Sequence, residues 1–108
     1  MRTREELAWV AGFVEADGCF STSRLKTRAG KIRDRRYPCV AVGQIDRKVL
    51  DRIQSFLGLG LIHYTNPPHL HFRANGLEKT QAIIAMLWPF MGTVKKAQAT
   101  RVLEEANR

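Results

Sequence analysis

The chain has 108 residues, of which 44% are hydrophobic, and its 18 Lys and Arg against 10 Asp and Glu give a net charge of +8. This length and apolar content exclude a disordered basic tail and predict a single folded domain over residues 1–108. No apolar run approaches the roughly 18 residues of a membrane span, and no signal-peptide core follows the charged start, so we expect a soluble intracellular protein without membrane contact.

The first predicted element is a helix that begins after Thr3 and ends near Asp17. Its apolar residues recur at helical spacing, and Thr3 is a suitable N-cap for it. Glu5 and Glu6 stand in the first turn, where the helix dipole favours acids. We expect Gly18 to end the helix in the left-handed conformation that glycine adopts readily.

A long cationic hairpin is predicted next. Residues 20–27 and 37–44 are rich in β-compatible side chains, and Ala29 and Gly30 supply a turn between them. Residues 24–36 hold seven Lys and Arg and one Asp, which places +6 of the chain's +8 in this segment. Such a charge block is often only a solvated surface. Between two strands, however, it lines a ribbon of a size that fits the major groove of DNA.

The remaining elements alternate helices with short strands. A second helix is predicted from the N-cap Asp46 to Gly58, and two strands at 60–64 and 70–73 flank a turn at 66–68. Residues 77–88 form a third predicted helix that ends against Pro89, and residues 93–107 form the last. This order predicts an α+β fold with helices on one face of an antiparallel sheet and the other face open to a partner.

The segment from Val10 to Gly18, VAGFVEADG, resembles the nine-residue signature of the LAGLIDADG homing endonucleases. The similarity continues into Cys19-Phe20-Ser21, and residues 57–60, 87–90 and 95–98 resemble that family's helix-to-strand junction and its late proline and lysine segment. The resemblance implies the αββαββα(α) fold, in which a four-stranded antiparallel saddle carries helices on one face.

The resemblance also implies an activity and a metal site. Asp17 corresponds to the acid that binds divalent metal beside the scissile phosphates, and the main-chain carbonyl of Ala16 to its companion ligand. Mg²⁺ is the expected ion, with Mn²⁺ or Ca²⁺ able to substitute for binding, and no small-molecule cofactor is expected. Hard cations of this kind prefer oxygen ligands.

One motif supplies one active site, so cleavage of both strands of double-stranded DNA implies a homodimer acting on a long, pseudo-palindromic site. The motif helices would pack on each other through an interface for which the expected residues are Val10, Ala11, Gly12 and Val14.

Further active-site residues follow from the same resemblance. Lys95 best matches the lysine near the attacking water, with Lys96 left open as the alternative. Gln44 matches the first member of a polar pair, and Arg47 matches the second less closely. Glu15 replaces the aspartate that is commoner in the signature, and we expect it to have a scaffold role.

Alternation along the strands predicts which side chains face DNA. Phe20, Thr22, Val40 and Val42 should point toward the helices. This phase also turns Arg24 and Lys26 inward, so either the hairpin projects beyond the core or a bulge shifts the register. The predicted DNA-binding residues are Ser21, Ser23, Leu25, Thr27, Arg28, Lys31, Arg33, Arg35, Tyr37, His63, Thr65, His69, His71 and Arg73.

Alternatives to the enzyme remain at this stage. The same scaffold resembles non-cleaving relatives that serve as RNA-splicing maturases or DNA-binding regulators, and the chain also resembles a separated half of a two-motif protein. His69 and His71 share a strand face but lack a third zinc ligand at a usual spacing. Cys19 and Cys39 are expected to be reduced neighbours across the first hairpin.

Overall fold

The structure is a computed structural model that describes residues 3–26, 32–66 and 69–106. In these segments, helices and strands follow one another in the predicted order. They are α1 (Arg4–Asp17), β1 (Gly18–Lys26), β2 (Ile32–Gln44), α2 (Arg47–Leu57), β3 (Leu61–Asn66), β4 (His69–Asn75), α3 (Leu77–Leu87), a 3₁₀ turn (Trp88–Phe90) and α4 (Thr93–Ala106).

The start of α1 is capped as its sequence predicts. The Glu6 N–H donates to the Thr3 hydroxyl over 3.1 Å, and the Thr3 N–H donates to the Glu6 carboxylate over 2.8 Å. This reciprocal pair satisfies two N–H groups that have no partner inside the helix.

The end of α1 differs from the expectation. Gly18 has φ −97° and ψ 165°, so it is extended and the predicted left-handed cap is wrong. The chain needs a small residue there for a different reason, because a Cβ on Gly18 would lie 2.7 Å from Val14 Cα. The helix therefore passes directly into β1, and Asp17 is the last helical residue.

The other helix ends mostly confirm the predictions. The Asp46 side chain accepts from the Lys48 N–H over 2.9 Å, and Gly58 has a φ of 73°, so α2 has both predicted caps. α3 ends at Leu87, one residue early, because Pro89 tightens the following turn into a 3₁₀ helix.

The strands form an antiparallel sheet in the order β1-β2-β4-β3. The register of the first hairpin shifts between Arg24 and Lys26, so a shift is present, but it follows Arg24, which still pairs with Arg36 in the unshifted register. The second hairpin is longer than predicted, since Asn66 lies in β3 and pairs with His69.

The predicted pairing of the cysteines is wrong. Ser21 faces Cys39 across the first hairpin, and Cys19 faces Ala41. Both thiols are free.

The core lies between one face of the sheet and the helices. Phe20, Val40, Val42 and Phe72 are at most 1% exposed and pack with residues of all four helices. This arrangement confirms the predicted α+β fold and the predicted strand phase. The helices lie on the core face, and the opposite face carries the alternate strand residues. No helix within the described ranges is long and apolar enough to cross a membrane.

Candidate active site and nucleic-acid interface

The last turn of α1 has an unfavourable charge pattern for a helix end. It contains Glu15 and Asp17, and no basic residue of α1 stands beside them. The C-terminal end of a helix is negative, so each acid there costs roughly 0.3–1 kcal/mol unless another element compensates it. Such a cost is a common sign that the residues serve a function.

The N-terminal end of α4 compensates the unfavourable position of the Glu15 negative charge. Its carboxylate accepts the Gly92 N–H over 2.6 Å, and Gly92 precedes the first residue of α4. An acid at the N-terminal end of a helix is stabilised by the dipole of that helix. This contact joins α1 to α4 and supports the scaffold role expected for Glu15.

Asp17 receives a neutral donor instead. The Gln44 side-chain amide donates to Asp17 Oδ2 over 3.0 Å in an exposed position. Gln44 is the last residue of β2, on the same strand phase as Val40 and Val42. The structure therefore brings together two of the predicted site residues, and the amide orients the carboxylate without neutralising its charge.

The structure also distinguishes the two candidate lysines. The Lys95 ammonium donates to the Gly18 carbonyl over 2.7 Å, one residue beyond Asp17. The Lys96 ammonium instead lies 5.1 Å from the centre of the Trp88 ring, a cation–π contact. Lys95 is thus the lysine at the end of α1, where a cation is favourable.

Arg47 lies at the start of α2. Its Nε lies 3.6 Å from Asp51 Oδ1, one helical turn further along α2, and both side chains are about half exposed. The geometry gives less support to a site role for Arg47 than for Gln44.

Gln98, which the sequence did not single out as a site residue, contacts the junction between the end of α1 and the start of β1. Its Oε1 atom accepts the Phe20 N–H over 3.0 Å, so α4 binds the start of β1 through Gln98 as well as Lys95. The two residues are three apart on α4 and share a helix face. That spacing is visible in the sequence, but the atoms they bind are not.

The oxygen atoms at this junction have the chemistry of a hard-cation site. Asp17 provides a carboxylate, and Ala16 stands in the last helical turn, where main-chain carbonyls lack intrahelical donors. Mg²⁺ is typically held by one or two protein carboxylates together with substrate phosphates. The residues present fit that pattern, although no cluster of three His, Cys, Asp or Glu occurs in the described part of the chain.

Three of the four expected interface residues on α1 are unavailable to a partner. Val10, Ala11 and Val14 are at most 1% exposed because they pack inside the chain's own core, so this part of the prediction is wrong. Gly12 is exposed, and a Cβ placed on it would meet no atom within 4 Å in the described structure.

The uncovered face of the sheet gathers six of the predicted DNA-binding residues. The register places Ser21 beside Cys39, Ser23 beside Tyr37, and His63 beside His71. Alternation puts these side chains opposite the core-facing Phe20, Val40 and Phe72. The residues on this face are Ser21, Ser23, Tyr37, His63, His71 and Arg73.

Cys39 anchors part of this face. Its thiol is buried, lies 3.0 Å from the Ser21 hydroxyl, and accepts from Arg73 Nη2 over 3.6 Å. Arg73 is thereby held over a shallow depression lined by Ser23, Tyr37, Pro38, Cys39, Asn75 and Gly76.

Eight predicted DNA-binding side chains cannot be placed on this face. Thr27, Arg28 and Lys31 lie outside the described residues. Leu25, Arg33, Arg35, Thr65 and His69 lie in strands whose backbone is described while their side chains are not.

The sequence and the fold of this chain match those of known endonucleases. The profile of the family described as LAGLIDADG endonuclease matches residues 10–103, so the chain belongs to the LAGLIDADG endonuclease family. The DNA endonuclease I-CvuI of Chlorella vulgaris is 30% identical over 101 residues, which cover 92% of this chain and 62% of that protein.

Solved structures of relatives agree with this assignment. I-CvuI in complex with the I-CreI target in the presence of 2 mM Mg, with DNA not cleaved, matches with a TM-score of 0.82 at 30% identity, over 94% of this chain and 65% of that chain. The archaeal intron-encoded homing endonuclease I-Vdi141I complexed with DNA matches with a TM-score of 0.78 at 30% identity, over 95% of this chain and 67% of that chain. The present chain therefore spans less than two thirds of the length of I-CvuI.

Proposed function

We propose that this protein is a site-specific DNA endonuclease that acts as a homodimer and hydrolyses both strands of a long, pseudo-palindromic site with a divalent metal. The observation that carries the proposal is the exposed Asp17 carboxylate, held by Gln44 at the negative end of α1. Among the side chains that the structure describes, no cation is bonded to this carboxylate, and a carboxylate kept in that position is suited to bind a metal ion.

The residues at the junction between α1 and β1 would have different roles in the reaction. Asp17 and the Ala16 carbonyl would hold the cation, and Mg²⁺ is the ion that their oxygen donors suit best. The cation would stabilise charge on the scissile phosphate and lower the pKa of a bound water. Gln44, which donates to Asp17, would orient the carboxylate, and Lys95, which donates to the adjacent Gly18 carbonyl, would supply a positive charge at the end of α1. Arg47, at the start of α2, completes the proposed polar set.

Metal use is supported by relatives. The complexes of I-CvuI were obtained in the presence of 2 mM Mg with one target and 2 mM Ca with another. We infer that Mg²⁺ supports cleavage by this protein, while Ca²⁺ and Mn²⁺ substitute for binding.

The homodimer is supported by a stripe of small residues on α1. Ala8, Gly12 and Ala16 recur every four residues, so they share one helix face, and all three are exposed. Small residues allow two helix backbones to approach closely, as a two-fold contact between motif helices requires. This stripe replaces Val10, Ala11 and Val14 as the proposed interface, and it would bring the Asp17 residues of both chains to the same end of the helix pair.

Double-stranded DNA is the proposed partner of the uncovered sheet face. The chain carries a net charge of +8, of which +6 falls within residues 24–36 of the first hairpin. Phosphates would be bound by most of these cations, and bases by a smaller number of polar side chains. Arg73, fixed by Cys39, is the best-placed base reader among the described side chains.

The experiment that tests the proposal compares Asp17→Asn with the wild-type protein. DNA carrying a site selected from a randomised library is incubated with Mg²⁺, and both binding and cleavage are measured. Asp17→Asn should bind DNA normally and fail to cut, because the amide cannot replace the anionic ligand. Glu104→Gln, which alters an exposed acid on α4, is the matched control and should cut normally.

Two results would count against the proposal. Cleavage by Asp17→Asn at the wild-type rate would exclude Asp17 as the metal-binding acid. A wild-type dimer that binds its selected site but never cuts with Mg²⁺ or Mn²⁺ would favour the alternative, a non-cleaving nucleic-acid binder.

A further inference from the structure

The end of α1 and the start of α4 exchange two hydrogen bonds between charged side chains and main-chain atoms. The Glu15 carboxylate at the end of α1 accepts the Gly92 N–H over 2.6 Å, and the Lys95 ammonium of α4 donates to the Gly18 carbonyl over 2.7 Å. The bonded residues are three positions apart on each side of this contact. A displacement of the first turn of α4 would therefore disturb both bonds together.

Glu15 completes a cap that α4 does not form by itself. The Gly92 carbonyl accepts the N–H four residues further along over 3.0 Å, so Gly92 is the N-cap of α4, and it has no side chain to bond the free N–H groups. At the start of α1, the N–H of the N-cap Thr3 is accepted by Glu6, three residues further along the same helix. The corresponding residue of α4 is Lys95, which has no acceptor atom on its side chain. Glu15 takes that role from the other helix.

The first turn of α4 is unfavourably charged and lies outside the core. Residues 93–96 contain two lysines and no acid, and positive charge is unfavourable at the N-terminal end of a helix. All of residues 92–98 are described and none of them is buried, whereas Met91 and Ala99 on either side belong to the core. Helix ends with little packing open readily, and Lys95 stands in the middle of this stretch.

A lysine side chain is flexible, so its ammonium has a defined position only where its own backbone is fixed. We propose that Glu15 is a positioning residue for Lys95. Its carboxylate completes the cap of α4, and the capped turn holds the Lys95 ammonium at the Gly18 carbonyl, one residue beyond Asp17. The effect on cleavage rests on the proposed function, in which Lys95 supplies a positive charge at the end of α1. The position of Lys95 itself can be measured in the metal-free protein without DNA.

The first measurement is the rate of reductive methylation of each lysine in the metal-free protein, resolved by mass spectrometry. Lys95 should react more slowly than the exposed Lys48 and Lys79, which serve as internal references. Glu15→Met removes the acceptor at similar side-chain length, and it should raise the relative rate of Lys95 by about fivefold or more because the first turn of α4 opens more often. Glu15→Gln keeps an acceptor oxygen and should stay within about twofold of the wild type. Glu15→Ala replaces the methionine variant if that variant does not fold. An unchanged Lys95 rate in the variant without the acceptor, or an equal rise in Glu15→Gln, would overturn the proposal.

The second measurement is the single-turnover cleavage rate of a selected DNA site with Mg²⁺. Glu15→Met should lower this rate by about tenfold or more, as is typical when a group that assists a reaction loses its position, and Glu15→Gln should restore most of it. Lys95→Met should itself slow cleavage. The double variant Glu15→Met/Lys95→Met should differ from Lys95→Met by less than about twofold, because a residue that acts through Lys95 has no further effect once Lys95 is gone.

The matched control is Glu104→Met, which changes an exposed acid of α4 and should cut normally. Equal losses from Glu15→Met with and without Lys95 would show general damage to the fold and would contradict the positioning role. Wild-type cleavage by Lys95→Met would contradict it as well.

The failure of this proposal can be told apart from the failure of the proposed function. If Asp17→Asn cleaves like the wild type, the proposed function fails, and the methylation rate of Lys95 still decides whether Glu15 fixes that side chain. If Asp17→Asn is inactive while Glu15→Met cuts like the wild type, only the role of Glu15 fails.

Discussion

The Gln44 amide donates to the Asp17 carboxylate over 3.0 Å, and this bond joins the last residue of β2 to the last residue of α1. The two residues come from different elements that meet only in the folded chain. The bond fixes the direction of a carboxylate that would otherwise rotate freely in solvent, and pre-organisation of this kind lowers the cost of binding a cation.

Removal of the Gln44 amide should reduce cleavage more than binding. We expect Gln44→Leu to lower the single-turnover cleavage rate by about 10- to 100-fold, because the orienting donor to Asp17 is lost. The affinity for DNA, measured with Ca²⁺, should change by less than about twofold. Gln81→Leu on the exposed side of α3 should leave both unchanged. Wild-type cleavage by Gln44→Leu would contradict the orienting role.

A larger side chain on the exposed stripe of α1 should prevent dimer formation. A Cβ on Gly12 meets nothing within 4 Å, so Gly12→Leu fits the protomer and should even stabilise its helix by about 1 kcal/mol. Between two closely packed helices the same side chain has no room. Sedimentation should show a folded monomer without cleavage activity. Ala85→Leu, on the exposed face of α3, should remain dimeric, and a dimer of Gly12→Leu would exclude this interface.

Two glycines with positive φ should differ in their tolerance of alanine. Gly60 has φ +93° and a Cβ there would lie 2.4 Å from the Phe72 ring, whereas Gly76 has φ +100° and an open surrounding. Both substitutions cost about 1–3 kcal/mol for the backbone conformation, and Gly60→Ala adds about 1–3 kcal/mol for overpacking. Urea unfolding of both variants measures the difference directly. Equal free energies of unfolding would show that the Phe72 ring moves aside without cost.

Loss of Arg73 should weaken recognition of the target. Arg73→Ala removes a donor that Cys39 holds over the uncovered sheet face, and a good Arg–base contact is worth about 1–3 kcal/mol of discrimination. Selection from a randomised DNA library should therefore show relaxed preference at one symmetry-related pair of positions. Arg101→Ala removes the same charge from the exposed side of α4 and should leave the preference intact. An unchanged preference in Arg73→Ala would mean that this side chain reads no base.

Local sequence rules were sufficient to predict the helices and strands and the N-terminal caps of α1 and α2. Thr3 and Asp46 cap their helices as their side-chain chemistry predicts, and alternation identified Phe20 and Val40 as core residues. Hydrophobic periodicity and capping depend on neighbours within a few residues, so they can be read before the fold is known. The motif resemblance likewise identified Asp17 and Gln44, which the structure brings into contact.

Only the tertiary structure decided which atoms meet across long sequence separations. It buried Val10 and Val14 and left Gly12 exposed, although all three lie in the same nine-residue motif. It paired Cys39 with Ser21 and brought Gln98 to the Phe20 N–H, 78 residues away. Side chains of these types can bond to many partners, and the choice among them is set by how helices and sheet pack. The sequence by itself therefore determined the elements and the charge and singled out Asp17 as the proposed metal-binding acid, and the packing of α1, β1 and α4 determined what surrounds Asp17.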